Sequence, residues 1–249
     1  MKASLVRWVS PDWPAPDHVR ALTTERNAGQ PDRPFDGFNL ADHVQDDPER
    51  VATHRSVLVA QLGLAGQPQW LTQVHGIAVE RLDGTVRPLS ADGSFTTSPG
   101  VVCAVLSADC APVFLSDRQG SFVALLHAGW RGIADGIIET GLSAVPAQPR
   151  DIIAWVGPGI RRHAFEVKSE VRDQLMADHQ RDSNYFLPRG ERYLADLPGL
   201  ILARLRQYRV AFAGASEVCT YADPTRWFSF RRQGLCGRMA SLIWLERQR

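Results

Sequence analysis

Three residues of this 249-residue chain have the chemistry of metal ligands, and each closely follows an apolar run. QWLTQV (Gln69–Val74) leads into His75 and Gly76. VVCAVL (Val101–Leu106) leads into Ser107, Ala108, Asp109 and Cys110. FVALL (Phe122–Leu126) leads into His127, then Ala128-Gly129-Trp130-Arg131-Gly132. Short β-branched and aromatic runs bounded by turn residues predict strands. Strand ends in one sheet share an edge, where α/β proteins commonly place their sites. His75, Cys110 and His127 are therefore candidate ligands of one metal ion. One thiolate and two imidazoles suit zinc, with copper as the alternative. The spacings of 35 and 17 residues match no zinc-finger pattern, so the expectation rests on residue type and context.

The same side chains admit a second chemistry, with Cys110 as nucleophile and His127 as its base. Asp109 is read either as a residue that orients a ligand or as an acid/base. Arg131 offers a planar fork for phosphate. It stands where a strand should pass into a helix beginning near Gly132, and helix starts attract anions. Arg55, on a predicted helix, is the second phosphate candidate. Gln73 lies two residues before His75 and so on the same side of the predicted strand. It is either a substrate contact or the partner of a backbone group, as Asn39 is either a substrate contact or a turn residue. The GPGI turn (157–160) could aim N–H groups at an anion. Arg231 and Arg232 alternate on a predicted strand, so only one should face a pocket.

Three protein ligands leave one zinc position open, which marks a catalytic site. A non-enzymatic zinc module is disfavoured by the missing fourth ligand and the arginine-bearing loop. A multicopper oxidase needs many histidines. This chain has seven, none in a His-x-His pair, and Met176 and Met239 fall in predicted core segments.

The supporting elements mix helix and strand. Asp46 or Asp47, Pro48 and Gly63 bracket a predicted helix. Further strands are predicted at Ile77–Leu82 and Ile152–Val156. Helices are predicted in ADGIIETGLSAV, FEVKSEVRDQLMADH and DLPGLILARLRQY. The end, WFSFRRQGLCGRMASLIWL, reads as two strands around a turn. Without regular βαβ alternation, the expected fold is α/β, a mixed sheet layered with helices in a single domain over 1–249.

Lys and Arg number 28, Asp and Glu 27, giving a net charge of +1. That balance argues against non-specific nucleic-acid binding. No apolar run approaches the roughly 18 residues of a membrane span, and no export signal is read at the start. Cys103, Cys110, Cys219 and Cys236 then read as reduced thiols of a cytoplasmic protein.

TQVHG (72–76), SADCAPV (107–113), HAGWRG (127–132), WVGPGI (155–160), AFEV (164–167), CTY (219–221), FSFRR (228–232) and GRMASLIWL (237–245) occur in that order. With FNLADHVQDDPE (38–49) and Arg55, they resemble the bacterial YfiH/YlmD family over nearly the whole chain. The resemblance implies a fold related to the catalytic domain of cytotoxic necrotizing factor toxins. It implies phosphorolysis of adenosine, inosine and related purine nucleosides, with adenosine deamination. The substrates would be nucleoside and phosphate, and the protein a monomer or homodimer. It places the family's metal ligands on His75, Cys110 and His127. Other labels attached to the family are polyphenol oxidase and peptidoglycan editing factor, the latter a hydrolase of muramyl precursors with the wrong first amino acid. The family's amino-terminal arginine position is filled by Arg26 through a one-residue insertion, or else by Glu25.

Overall fold

Alternation along single strands divides the apolar residues between separate cores. The computed structural model describes residues 6–27, 29–30, 32–177 and 180–247. One antiparallel sheet has the order β1 (Trp8–Val9), β2 (Val19–Thr24), β13 (Met239–Leu245), β5 (Val102–Ser107). In β5, Val102, Ala104 and Leu106 face one buried cluster, while Cys103 and Val105 face another. Period-two geometry requires this strand to be covered on both faces. The first face is covered by α1 (Pro48–Leu62), through Leu58. The second meets a six-stranded sheet.

That sheet has the order β12 (Phe212–Ala215), β8 (Ile152–Val156), β6 (Ala111–Asp117), β7 (Val123–Ala128), β4 (Gly93–Thr96), β3 (Val79–Arg81). It is antiparallel except at its two edge pairs. Phe114, Val123 and Leu125 pack towards β5, and Val113, Leu115, Ala124 and Leu126 pack the other way. The outer face carries α2 (Trp130–Asp135), α3 (Ile137–Ala144), α4 (Ser169–Met176) and α5 (Leu197–Gln207). The layers run helix, sheet, sheet, helix, a mixed α/β fold. A small antiparallel sheet, β10 (Phe186–Arg189), β11 (Arg192–Ala195), β9 (Glu166–Lys168), flanks α4. A single turn, α6 (Phe230–Gln233), precedes β13. No helix among the described residues is long and apolar enough to cross a membrane.

The helix bracketed by Asp47 and Gly63 forms as its caps require. Asp47 accepts from the Glu49 N–H, and Gly63 closes the other end in the left-handed conformation. Other expectations change. Gln69–Val74 is not a strand but an extended segment with isolated bridges at Gln69 and Thr72. Its Gln73 side chain, not a ladder, binds the backbone of β5. The helix expected near Gly132 starts at Trp130, and left-handed Gly136 breaks it into α2 and α3. The segment around Phe230 is helical rather than a strand, because Ser229 caps it by accepting from the Arg232 N–H. β9 occupies the start of the helix expected from Phe165. Strand β6 was hidden by Pro112, which lacks a donor but accepts from the Gly157 N–H.

Candidate metal centre

The pairing of β6 with β7 sets Pro112 opposite His127 and Ala111 opposite Ala128. Cys110 therefore arrives beside Gly129. A Cβ added at Gly129 would lie 2.8 Å from the Cys110 Sγ and 3.2 Å from the His75 Cδ2. Glycine at this position lets two ligand side chains close over the backbone. His127 is thus inside its strand rather than after it, and Cys110 is just before one.

His75 comes from the extended segment, held by two devices. The Gln73 amide donates to the Leu106 carbonyl and accepts from the Leu106 N–H, at 2.8 and 2.7 Å. The Asp92 carboxylate accepts from the N–H groups of Val74, His75 and Gly76, at 3.1, 3.0 and 2.7 Å. These bonds keep His75 at φ +60°, a left-handed conformation that costs a non-glycine residue about 1–3 kcal/mol. Asp92 Oδ1 also lies 2.8 Å from His127 Nδ1, and its carbonyl accepts from the His127 N–H. One fully buried carboxylate therefore positions both imidazoles. Sequence reading missed it, because a lone acid in SADGSF carries no spacing signal.

The ligand atoms of His75, Cys110 and His127 lie within 4.8 Å of one another. Tetrahedral zinc with ordinary bond lengths sets such atoms about 3.5 Å apart, so the group fits after a small inward movement. Asp92 engages His127 Nδ1 and leaves Nε2 for a metal, the usual outer support of a metal-binding histidine.

Burial alone pushes the Cys110 thiol up, but the His127 charge and hydrogen bonds from His127 and His75 bring it down to about 6. Burial also opposes the His127 imidazolium, yet the Cys110 thiolate and Asp92 raise it to about 9. At neutral pH the metal-free pair is thiolate and imidazolium, and a metal would displace the imidazolium proton. Burial raises Cys103 to about 12 and also pushes Cys236 up. In metal-stripped protein near neutral pH, iodoacetamide should therefore label Cys110 before Cys103 or Cys236. Peptide mapping that finds either of those labelled first would contradict this assignment.

These ligands line a cavity of about 550 Å³, together with Gln73, Asp109 and Arg131. Arg131 stacks on Trp130, 4.4 Å from the ring centroid. Lys168, Arg192, Arg231, Arg238, Phe165 and Phe230 also line it, a set that no single motif in the sequence announces. Of the two adjacent arginines, Arg231 lines the cavity, and Arg232 donates to the carbonyls of Thr220, Tyr221 and Trp227.

Two expected substrate contacts, Arg55 and Asn39, do not line this cavity. Arg55 donates to the Leu40 carbonyl, pairs with Asp42 at 3.1 Å and stacks on Trp70. Asn39 is fully buried, and its amide binds Ala41, Asp46 and the Arg238 N–H. Asp109 does not hold an imidazole. Its carboxylate accepts from Thr220, Ser229 and the Arg231 N–H. In the GPGI turn, the N–H groups of Gly157 and Ile160 bind the Pro112 and Asp109 carbonyls rather than facing the cavity for an anion. Arg26 is buried and donates to the carbonyls of Gln30, Arg33, Asp36 and Pro224, while Glu25 pairs with Arg226. Neither lines the cavity.

A family model described as multi-copper polyphenol oxidoreductase laccase matches residues 20–246. Purine nucleoside phosphorylase YfiH of Escherichia coli is 42% identical over 238 residues, covering 95% of this chain and 98% of that protein. A purine nucleoside phosphorylase of Pseudomonas aeruginosa is 42% identical over 241 residues, covering 96% and 98%. The crystal structure of a Neisseria meningitidis protein superposes with a TM-score of 0.89 at 38% identity, covering 96% of this chain and 99% of that one. That of YlmD from Geobacillus stearothermophilus gives 0.84 at 26% identity, covering 98% and 100%.

Proposed function

The chain belongs to the YfiH family, whose model is described as multi-copper polyphenol oxidoreductase laccase, and on that premise we propose that it is a zinc-dependent purine nucleoside phosphorylase. Its substrates are adenosine, inosine and related nucleosides with phosphate, and it also deaminates adenosine. It works in the cytoplasm as a monomer or homodimer. The observation that carries this reading is the group of three ligands facing a cavity that also presents cations. His75, Cys110 and His127 would hold the zinc, which when bound supplies Lewis-acid polarisation without redox chemistry. Asp92 keeps His127 in the orientation that this requires.

In phosphorolysis a phosphate oxygen bonds to the ribose C1′ as the glycosidic C–N bond breaks, its electron pair leaving with the base. The chain must hold phosphate beside the ribose. Arg131 is the residue for this: it lines the cavity, and among the described residues its side chain stacks on the Trp130 ring without a hydrogen bond or ion pair. Its role rests on this position and not on a helix start, since α2 is a short turn of six residues. Arg131→Lys keeps the charge and loses the fork. It should raise the KM for phosphate about tenfold, leave zinc content unchanged and affect deamination less. Equal losses in both reactions, or none, would remove Arg131 from the phosphate site.

The test is metal analysis of purified protein followed by chromatography of adenosine incubated with and without phosphate. Adenine released only with phosphate supports phosphorolysis, and inosine formed without phosphate supports deamination. Formation of neither product would overturn the proposal. Copper in place of zinc would favour the oxidase reading, although the described residues gather only one group of three ligands.

A second reading is favoured by one bond, that from His127 to Asp92. Cys110, His127 and Asp92 follow the nucleophile, base and orienting-acid order of a cysteine hydrolase. The substrate would then be a muramyl precursor carrying the wrong first amino acid. Chelation separates the two: it abolishes phosphorolysis and leaves thiol-dependent hydrolysis intact.

A further inference from the structure

A nucleoside presented for attack at its ribose needs a flat apolar surface for its base. The cavity is lined by the rings of Trp130, Phe165 and Phe230. Arg131 covers Trp130, and Arg231 lies 5.1 Å from the Phe165 centroid. Phe165 is buried, and Trp130 packs against the helical core. Phe230 differs from both. It is 58% exposed although it lines the cavity, and Arg238 approaches it at 5.8 Å. A cation on one face of an aromatic ring leaves the other for stacking.

Asp109 ties this ring to the metal ligands. Ser229 Oγ donates to Asp109 Oδ2 at 3.0 Å, and the Arg231 N–H donates to the same oxygen at 2.7 Å. Both neighbours of Phe230 in the chain are thus bound by the residue that immediately precedes Cys110. Thr220 donates to the other oxygen at 2.7 Å, and Asp109 itself sits at φ +92°. A strained, buried carboxylate with three donors is a rigid joint between two loops far apart in sequence.

Resting on the phosphorylase reading, we infer that Phe230 is the shelf on which the purine base stacks, and that Asp109 is the positioning residue that sets this shelf relative to Cys110. Base–aromatic stacking accepts any purine, so the shelf favours purine bases as a class, and selection among them falls to other groups.

The test is calorimetric titration of the zinc-loaded protein with inosine, which has no amine to lose and needs phosphate to be cleaved, alongside steady-state kinetics with inorganic phosphate. Phe230→Ala should weaken inosine binding and raise its KM about ten- to hundredfold, with zinc content, Tm and the KM for phosphate unchanged. Phe230→Tyr should restore the affinity. Asp109→Asn should raise the KM for inosine with a smaller effect on kcat and leave the pH profile of kcat in place. Loss of one limb of that profile would make Asp109 an acid/base and overturn its positioning role. Wild-type protein that cleaves inosine, with Phe230→Ala binding it equally well, would overturn the shelf alone. Wild-type protein that neither binds nor cleaves inosine would overturn both the shelf and the phosphorylase reading.

Discussion

Cys110→Ser should lose metal and turnover together. A hydroxyl stays protonated at neutral pH and is a poor zinc ligand. The variant also removes the thiolate that holds the His127 imidazolium in place. The loss of zinc affinity should exceed the roughly 10- to 100-fold typical of an outer partner, and phosphorolysis should fall below detection. Cys103 is the internal control. It lies inside β5, fully buried between the two sheets. Cys103→Ala should cost on the order of 1 kcal/mol in packing and leave zinc content unchanged. Metal analysis, a competing chelator dye and urea denaturation of both variants check this pair. Full zinc and full activity in Cys110→Ser would remove the residue from the site. Inactivity with intact zinc and fold in Cys103→Ala would place the chemistry on the wrong cysteine.

Asp92→Ala should be the most damaging change among residues that touch no substrate. Its carboxylate accepts three backbone N–H bonds from the His75 segment and one from the His127 ring. Burial pushes this carboxyl up, but His127 and the N–H groups of Gly76 and Val74 outweigh that and hold it below the ordinary carboxylate range. Removing it leaves buried backbone N–H groups and the His127 Nδ1–H without their acceptor and takes away one of the two anions beside the imidazolium, a loss of about 3–5 kcal/mol of stability. Asp92→Asn keeps the shape but places an amide N–H₂ against donors. It should fold, with zinc affinity lowered about 10- to 100-fold. Denaturation of the metal-free proteins and zinc competition measure the two effects separately. An Asp92→Asn protein with wild-type affinity for zinc would show that the carboxylate supports only the fold.

The local signals in the chain are strongest where one residue decides the structure by itself. Asp47, Pro48 and Gly63 delimit α1 because capping is a contact between near neighbours. His75, Cys110 and His127 stand out because few residue types bind zinc and each sits beside an apolar run. The HAGWRG motif carries the glycine that closing the site requires, and its reason appears only when Cys110 and His75 are seen against Gly129. The tertiary structure decided what depends on residues distant in sequence. Asp92 is 35 residues from His127, and no spacing rule links a carboxylate to an imidazole across a strand pairing. Arg55 and Arg131 look alike as arginines, yet one is held by Asp42 and Trp70 and the other opens into the cavity. Asp109 and the chain on either side of Phe230 meet only because the loop from Thr220 to Arg231 folds back on the turn before β6. The sequence alone was enough to single out His75, Cys110 and His127 and to indicate the family. Which carboxylate orients them, and which cations and rings face the cavity, depends on strand register and layer packing, which bring together residues that local propensity cannot relate.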